Sequence, residues 1–172
     1  MADSLADVSD VLKVGILTIS DRCSSGQMDD RSGPAIRQVV VETDWEVTQY
    51  NVIPDNPNEI RQILVRWCDD GLCDCILTTG GTGLSTRDFT PESTVAVLDR
   101  QLPHLATQIA LSDIESVPTA ILSRGVAGTR RQTLIVNLPG SVNGATNGAK
   151  IVVKIARHAV DVLRGQGDKG HG

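Results

Sequence analysis

Short runs of apolar, largely β-branched residues, separated by segments of helical periodicity, constrain the fold of this chain more than any other feature. The clearest runs are 14–19, 75–79 and 133–138, and weaker ones lie at 47–53 and 119–122. The clearest runs are too short for most helices and too uniformly apolar for strands with one face in water. We therefore predict strands at all five positions, with the clearest buried on both faces of a sheet.

Helix signals lie between these runs. Asn56 is suited to cap a helix, with Pro57 at its first position and Glu59 three residues after the cap, and Gly71 marks its end. The segment Arg22 to Ser32 predicts a loop. Four further helices are predicted from Pro34, from Thr90, between Pro103 and Ile114, and over 148–163. Alternating strands and helices predict an α/β fold with one mostly parallel sheet covered on both faces.

Length and charge limit the classes of protein to consider. The 172 residues suit a single domain, which we place at 14–164 between flexible ends at 1–13 and 165–172. No signal-peptide pattern and no membrane-spanning apolar stretch is visible, so we expect no membrane association and a cytoplasmic protein. A net charge of −5 argues against a broad nucleic-acid surface, so no nucleic acid is expected as a partner.

The four cysteines include no C-x-x-C pair, and they are Cys23, Cys68, Cys73 and Cys75. A zinc site remains open in principle, but the three histidines lack zinc-finger spacing with these cysteines. Buried reduced thiols are the favoured interpretation.

Polar or glycine-rich segments follow four of the predicted strands. They are Ser20-Asp21, Pro54-Asp55, Gly80 to Gly83 and Pro139-Gly140-Ser141. Ligands of open parallel sheets bind beyond the carboxyl ends of the strands. We therefore expect these four segments to converge on one rim and to form the functional site.

The segment Gly80-Gly81-Thr82-Gly83 is suited to bind an anion through backbone N–H groups, because glycine has no Cβ to prevent close approach. It matches neither a Walker loop nor a dinucleotide fingerprint. On its own, a tight turn between strand and loop explains it equally well.

The residues after the glycines favour phosphate chemistry. Asp88 follows the loop and Asp55 follows the second strand, and these carboxylates are the natural ligands for Mg²⁺. Asx-turns or helix caps are the alternative role for each. Loop arginines near these segments could form a local phosphate pocket or be solvated; they are Arg31, Arg87, Arg124, Arg130 and Arg131. No Ser-His-Asp arrangement is apparent, which argues against nucleophilic hydrolysis.

From Val14 to about Leu163 the chain resembles the MogA/MoaB family of molybdenum cofactor biosynthesis proteins, which includes the G domain of gephyrin and of its plant counterpart. The motifs occur in the order of that family. They are Thr18 to Asp21, Asp30 to Gly33, Pro54-Asp55, Thr78 to Gly83, Arg87 to Glu92, Leu122 to Arg124 with Gly128, and Asn137 to Ser141.

This resemblance implies a three-layer α/β/α sandwich, usually assembled as a homotrimer, and Mg²⁺-dependent transfer of AMP from ATP to molybdopterin with release of pyrophosphate. It assigns Asp55 and Asp88 as the essential catalytic and metal-binding carboxylates. Sixteen other residues of these motifs are expected to contact substrate. They are Thr18, Ser20, Asp21, Gly80, Gly81, Thr82, Gly83, Arg87, Thr90, Glu92, Ser123, Arg124, Asn137, Pro139, Gly140 and Ser141. Docking with a molybdenum-insertion protein is a further expectation.

Two alternatives come from other classes. One is a non-catalytic pterin-binding or scaffolding protein, because some MoaB-type members of the family lack the first aspartate and the basic residue before the second, and look non-catalytic. This chain retains Asp55, Arg87 and Asp88, which favours an enzyme. A nucleotide hydrolase resembling the N-terminal domain of CinA-type proteins is the other alternative. The chain departs from the usual pattern at Asn56, Phe89 and Ser93, none of which removes a group that the transfer requires.

Overall fold

The structure, a computed structural model, describes residues 11–166, so most of the expected flexible ends lie outside that range. One six-stranded sheet has the order β2-β1-β3-β6-β5-β4. Its strands are β1 (Lys13–Ile19), β2 (Glu46–Ile53), β3 (Cys75–Thr79), β4 (Arg100–Gln101), β5 (Ala127–Arg130) and β6 (Thr133–Leu138). The first four in spatial order are parallel, and β5 pairs antiparallel with both of its neighbours.

Helices cover both faces of this sheet. They are α1 (Asp21–Ser24), α2 (Ser32–Val41), α3 (Pro57–Asp69), α4 (Thr90–Val95), α5 (Pro103–Leu111) and α6 (Val142–Leu163), with a 3-10 helix at Pro118–Leu122. The capping signal of α3 is confirmed, because the Asn56 side chain accepts hydrogen bonds from the N–H groups of Asn58 and Glu59.

The continuous apolar character of the central strands follows from their burial on both sides. In β1, Val14 and Ile16 join the core beneath α2 and α6, whereas Leu17 and Ile19 join the core beneath α3. Successive side chains of a strand point to opposite faces, so a run without polar interruption requires two covered faces. The predicted α/β class and the mostly parallel, doubly covered sheet are confirmed.

The predicted strand at 119–122 is wrong, because that segment lies in the 3-10 helix that begins at Pro118. The sheet is extended instead by β4 and β5, which the sequence did not predict. An added Cβ on Gly128 of β5 would lie 2.3 Å from the carbonyl oxygen of Arg100 in β4. A glycine at this close approach weakens the apolar pattern by which a strand is recognised.

The last helix begins six residues earlier than predicted, at Val142 after the cap residue Ser141. Asn and Gly in its first turns are poor helix formers, which hid the true start. Tertiary packing overrides that preference: an added Cβ on Gly148 would lie 2.8 Å from Leu138 Cδ2, so α6 packs closely on β6 only because glycine is there. The predicted loop at 22–32 also contains most of the single turn α1.

Three of the four cysteines are buried free thiols, as expected, and Cys23 is only partly buried. Burial raises the pKa of Cys68 to about 11, which keeps that thiol protonated near neutral pH. No helix among residues 11–166 has the length and apolar content needed to span a membrane.

Candidate active site

The carboxyl ends of the parallel strands lie side by side, as their polar extensions predicted. Thr18 of β1 pairs with Thr79 of β3, which pairs in turn with Leu138 of β6. Ile19 pairs with Ile53 at the end of β2. A cavity of about 990 Å³ opens directly beyond these ends, and its lining includes both Asp55 and Asp88. We call it the carboxylate cleft.

Asp55 is the most unusual group in this cleft, because it is a largely buried carboxylate with one unpaired oxygen. The residue is 9% exposed, and its Oδ2 accepts a hydrogen bond of 3.1 Å from the backbone N–H of Asp21. Its Oδ1 is buried without a hydrogen-bond partner. Burial is the main cause that raises the pKa of Asp55 above its usual range. An unpartnered buried oxygen costs stability unless a ligand or metal completes it.

Asp88 lines the same cleft on the segment that follows the glycines. Its Oδ2 accepts a hydrogen bond of 2.9 Å from the N–H of Ser85, which forms a tight turn. An added Cβ on Gly83 would approach that same oxygen to 2.8 Å. The charge of Asp88 also contributes to the raised pKa of Asp55, so the two carboxylates act on each other electrostatically.

The glycine loop passes close to Asp55 and requires glycine at two positions. Gly80 and Gly81 have φ values of +92° and +65°, in the region that L residues with a side chain rarely adopt. An added Cβ on Gly81 would lie 2.7 Å from Asp55 Oδ1 and 2.3 Å from Thr90 Oγ1. The backbone of the loop therefore approaches the free oxygen of Asp55 more closely than any other residue type would permit.

Two residues, Thr90 and Arg124, hold the carbonyl groups of this loop, each through its side chain and its backbone N–H. The Thr90 hydroxyl donates to the Gly80 carbonyl at 2.9 Å, and the Thr90 N–H donates to the Gly81 carbonyl at 3.2 Å. The N–H of Arg124 donates to the Thr82 carbonyl at 2.9 Å, and its Nε donates to the Gly83 carbonyl at 2.8 Å. Each of four consecutive carbonyls of the loop thus has a hydrogen-bond donor within the protein.

A second cleft of about 910 Å³ lies beside the first, and Ser141 and Val142 line both. It contains Ser123 and Pro139, together with Thr82 and Gly83 from the other part of the glycine loop. Of the sixteen residues predicted to contact substrate, eleven line one or both of these adjoining clefts. The other five line neither, and they are Arg87, Thr90, Glu92, Arg124 and Asn137.

The residues of the carboxylate cleft fit a hard divalent cation. Carboxylate oxygens are the ligands that Mg²⁺ prefers, and it commonly binds through one or two of them together with waters and substrate phosphates. Residues 11–166 contain no cluster of three or more His, Cys, Asp or Glu side chains suited to hold a metal by themselves. A cation here would therefore use Asp55 and Asp88 and take its other ligands from a substrate.

A family model described as a probable molybdopterin binding domain matches residues 15–158 of this chain. That range includes both carboxylates, the glycine loop and most of the sheet. The chain belongs to this family.

Relatives of this molybdopterin-binding domain agree with the match along most of the chain. A molybdopterin adenylyltransferase of Helicobacter pylori is 37% identical over 156 residues, covering 90% of this chain and 89% of its own. One of Escherichia coli is 43% identical over 132 residues, covering 75% and 67%. The molybdopterin biosynthesis enzyme MoaB of Thermus thermophilus has a structure with a TM-score of 0.84 at 44% identity, covering 90% and 98%. The predicted family resemblance is confirmed.

Within the molybdopterin-binding domain, several residues predicted to contact substrate have their side chains engaged by the protein. Asn137 is buried and donates to the hydroxyls of Thr78 and Thr94 at 2.9 and 3.0 Å. Arg124 also donates to the Asp88 carbonyl at 3.0 Å and forms an ion pair with Glu92. The Ser20, Ser123 and Ser141 hydroxyls accept from nearby N–H groups. Thr18, Gly140 and Ser20 line the carboxylate cleft.

The predicted arginine pocket is divided between the two ends of the parallel strands. We call these the two edges of the sheet: the carboxylate cleft lies at the carboxyl ends, and the opposite edge is at the amino ends. Arg31 lines the carboxylate cleft, and Arg87 lies at its edge, where it forms an ion pair with Asp21 at 2.8 Å. Arg130 and Arg131 lie at the opposite edge and pair with Asp69. The β5–β6 hairpin is antiparallel, so its turn is at the amino ends of the parallel strands.

Sequence reasoning missed Asp30 as part of the cleft wall. Its carboxylate accepts hydrogen bonds from the Thr18 hydroxyl at 2.8 Å, from the Gly33 N–H at 3.0 Å and from the Tyr50 hydroxyl. It therefore joins β1, β2 and the start of α2 beside the cleft. The motif Asp30 to Gly33 was visible in the sequence, but only the fold brings it to Thr18.

Proposed function

We propose that this chain is a molybdopterin adenylyltransferase that transfers AMP from ATP to the terminal phosphate of molybdopterin. An oxygen of the pterin phosphate attacks the α-phosphorus of ATP, and the bond from that phosphorus to the leaving pyrophosphate breaks. The observation that carries the proposal is the buried, unpaired Oδ1 of Asp55 in the same cleft as Asp88. Relatives named for this activity match most of the chain.

We assign Asp55 and Asp88 to hold Mg²⁺, which would supply positive charge to the phosphates when bound. The raised pKa of Asp55 supports this role, because a nearby cation would offset the cost of ionising a buried carboxylate. A cleft with two carboxylates and no metal would repel a triphosphate. The assignment therefore also explains how an acidic cleft could accept an acidic substrate.

We assign the glycine loop to the substrate phosphates. With its carbonyls held by Thr90 and Arg124, the loop can present backbone N–H groups to an anion without close approach of its own oxygens. Such fixed dipoles favour charge that develops during the reaction, because they need no reorganisation. Arg124 therefore contributes to phosphate binding by holding the loop.

A binding or scaffolding protein without catalytic activity is the alternative function. Retention of both Asp55 and Asp88 favours an enzyme, because the members of the family that look non-catalytic lack the first of these carboxylates. We further propose that the protein acts in the cytoplasm as a homotrimer and that it docks with a molybdenum-insertion protein. Exposed apolar side chains at Leu84, Ile121 and Leu122 support an interaction surface beside the second cleft.

The decisive experiment incubates the purified chain with ATP, Mg²⁺ and molybdopterin, and measures pyrophosphate and the AMP adduct by mass spectrometry. We expect both products in equal amounts, and neither product when Mg²⁺ is chelated. Pyrophosphate without pterin would instead indicate a nucleotide hydrolase. Tight binding of pterin with no adduct would indicate the scaffolding alternative. Light scattering under native conditions tests the trimer, which a monomer at high concentration would contradict.

A further inference from the structure

We propose that Asp21 is a positioning residue that fixes the Asp55 carboxylate in the cleft and does not itself contact substrate or metal. The proposal deepens the proposed function, on which it rests, and it revises the sequence-based expectation that Asp21 binds substrate. Three observations carry it: a reciprocal pair of hydrogen bonds, a protein donor on each oxygen of Asp21, and the unpaired oxygen of Asp55.

The reciprocal pair joins the ends of two adjacent strands. The N–H of Asp21 donates to Asp55 Oδ2 at 3.1 Å, and the N–H of Asp55 donates to Asp21 Oδ1 at 3.0 Å. Each residue thus holds the other through its backbone and its side chain. The bond from the Asp21 N–H orients the Asp55 carboxylate, and the bond from the Asp55 N–H to the Asp21 side chain holds the Asp55 backbone in place. Together the two bonds define where Asp55 Oδ1 points.

The remaining oxygen of Asp21 is also occupied. Its Oδ2 accepts from Arg87 Nε at 3.1 Å and from Arg87 Nη2 at 2.8 Å. Asp21 therefore has no oxygen without a protein partner, whereas Asp55 has one.

The two carboxylates consequently have different capacities for a ligand. Asp55 Oδ1 has no protein hydrogen bond with which a ligand would compete, whereas each oxygen of Asp21 already accepts at least one. The ion pair with Arg87 is largely exposed, and exposed pairs contribute little. Arg87 can therefore exchange Asp21 for a phosphate oxygen, while the reciprocal pair with Asp55 is kept.

Substitutions at Asp21 distinguish a positioning role from a direct one by their rank order. Asn keeps the size of Asp and an oxygen to accept the Asp55 N–H, but it lacks the charge. Glu keeps the charge but moves it by one methylene.

We expect Asp21→Asn to retain kcat within about fivefold, and Asp21→Glu and Asp21→Ala each to lose about 10- to 100-fold, because small displacements of a catalytic group are costly. Asp70→Asn and Asp70→Ala, at an exposed carboxylate after α3, are the matched controls and should leave kcat unchanged.

A binding measurement gives a second readout. Titration of each variant with Mg²⁺ and a non-hydrolysable α,β-methylene analogue of ATP should show near wild-type affinity for Asp21→Asn and about tenfold weaker affinity for Asp21→Glu. The proposal is overturned if Asp21→Glu exceeds Asp21→Asn in kcat and affinity, or if all variants match the wild type. Should Asp21→Ala or Asp21→Glu fail to fold, a loss of more than about tenfold in Asp21→Asn alone overturns it. Failure of the wild type to form the AMP adduct would contradict the proposed function, while the titration would still test Asp21.

Discussion

Buried or partly buried aspartates lie at both edges of the sheet, but their hydrogen bonding differs. At the carboxylate cleft, Asp55 retains a buried oxygen without a partner. At the opposite edge, both oxygens of Asp69 accept from Arg130, at 2.9 and 2.8 Å, and Asp69 also pairs with Arg131. There Arg130 donates in addition to the Val97 carbonyl at 3.0 Å. Asp69 thus has donors on both oxygens at one edge, whereas Asp55 has one oxygen without a donor at the other.

This difference separates groups that stabilise the fold from groups available to a ligand. A carboxylate whose bonds are all made within the protein has its pKa lowered, as Arg130 does for Asp69, and it contributes to stability. A buried carboxylate with an unmet bond has its pKa raised and reduces stability until something binds. Incomplete bonding at the cleft is therefore a cost that the fold tolerates in order to bind.

The largest expected effect is a loss of kcat when a carboxylate charge is removed at the cleft, compared with the same change at the opposite edge. We expect Asp55→Asn and Asp88→Asn each to lower kcat by about 100-fold or more, because the Mg²⁺ ligands are lost. Asp69→Asn should leave kcat within about twofold, since the opposite edge does not contact the cleft. Steady-state assays of adduct formation measure both. Comparable losses in all three variants would mean that the edges are coupled and would break the comparison.

A smaller effect distinguishes two glycines with the same backbone conformation. Gly81 in the cleft and Gly71 near the opposite edge both have φ of +65°, but an added Cβ meets Asp55 and Thr90 at Gly81 and nothing within 4 Å at Gly71. Gly71→Ala should therefore cost about 1 kcal/mol from backbone strain alone. Gly81→Ala should cost about 2–4 kcal/mol and most of the activity, because contacts are added to the strain.

Urea unfolding and turnover of the two alanine variants measure this difference. Gly71→Ala serves as the control for the conformational cost of alanine at positive φ. Equal losses of stability in both variants, with activity retained in Gly81→Ala, would show that the close approach to Asp55 has no role.

Much of the cleft could be predicted from sequence because it depends on short-range signals. Buried strands are recognisable from apolar runs, and the segments after them must meet if the strands are parallel, so Asp55 and Gly80 were expected on one rim. The position of Arg130 could not be predicted in the same way. Its edge depends on β5 running antiparallel to β6, and the glycine that permits close approach to β4 conceals β5 in the sequence.

The roles of motif residues were harder to predict than their positions. Thr90, Arg124 and Asn137 belong to motifs of the family, yet their side chains hold carbonyls or hydroxyls of the protein itself. A residue type that suits a ligand also suits a neighbouring loop, and only the distances distinguish these uses. The fold also revealed the bonds of Asp30 to Thr18 and Tyr50, which are 12 and 20 residues apart from it in sequence.

The smallest effect is also the most specific, because the two edges should respond to pH with opposite signs. Asp55 has a raised pKa in the folded state, so its ionisation reduces stability as pH rises through that pKa, and Asp55→Asn should raise Tm at neutral pH by a few degrees. Asp69 has a lowered pKa, so its ionised form stabilises the fold at neutral pH, and Asp69→Asn should lower Tm there. Both differences should vanish as the solution becomes acidic enough to protonate the two carboxylates in the folded state.

Calorimetry across the acid range measures these differences in Tm. Addition of Mg²⁺ with nucleotide should remove the gain in Tm of Asp55→Asn but leave the loss in Tm of Asp69→Asn. A shift of the same sign at both edges would show that the unpaired oxygen of Asp55 carries no cost, and the difference between the edges would then be one of position alone.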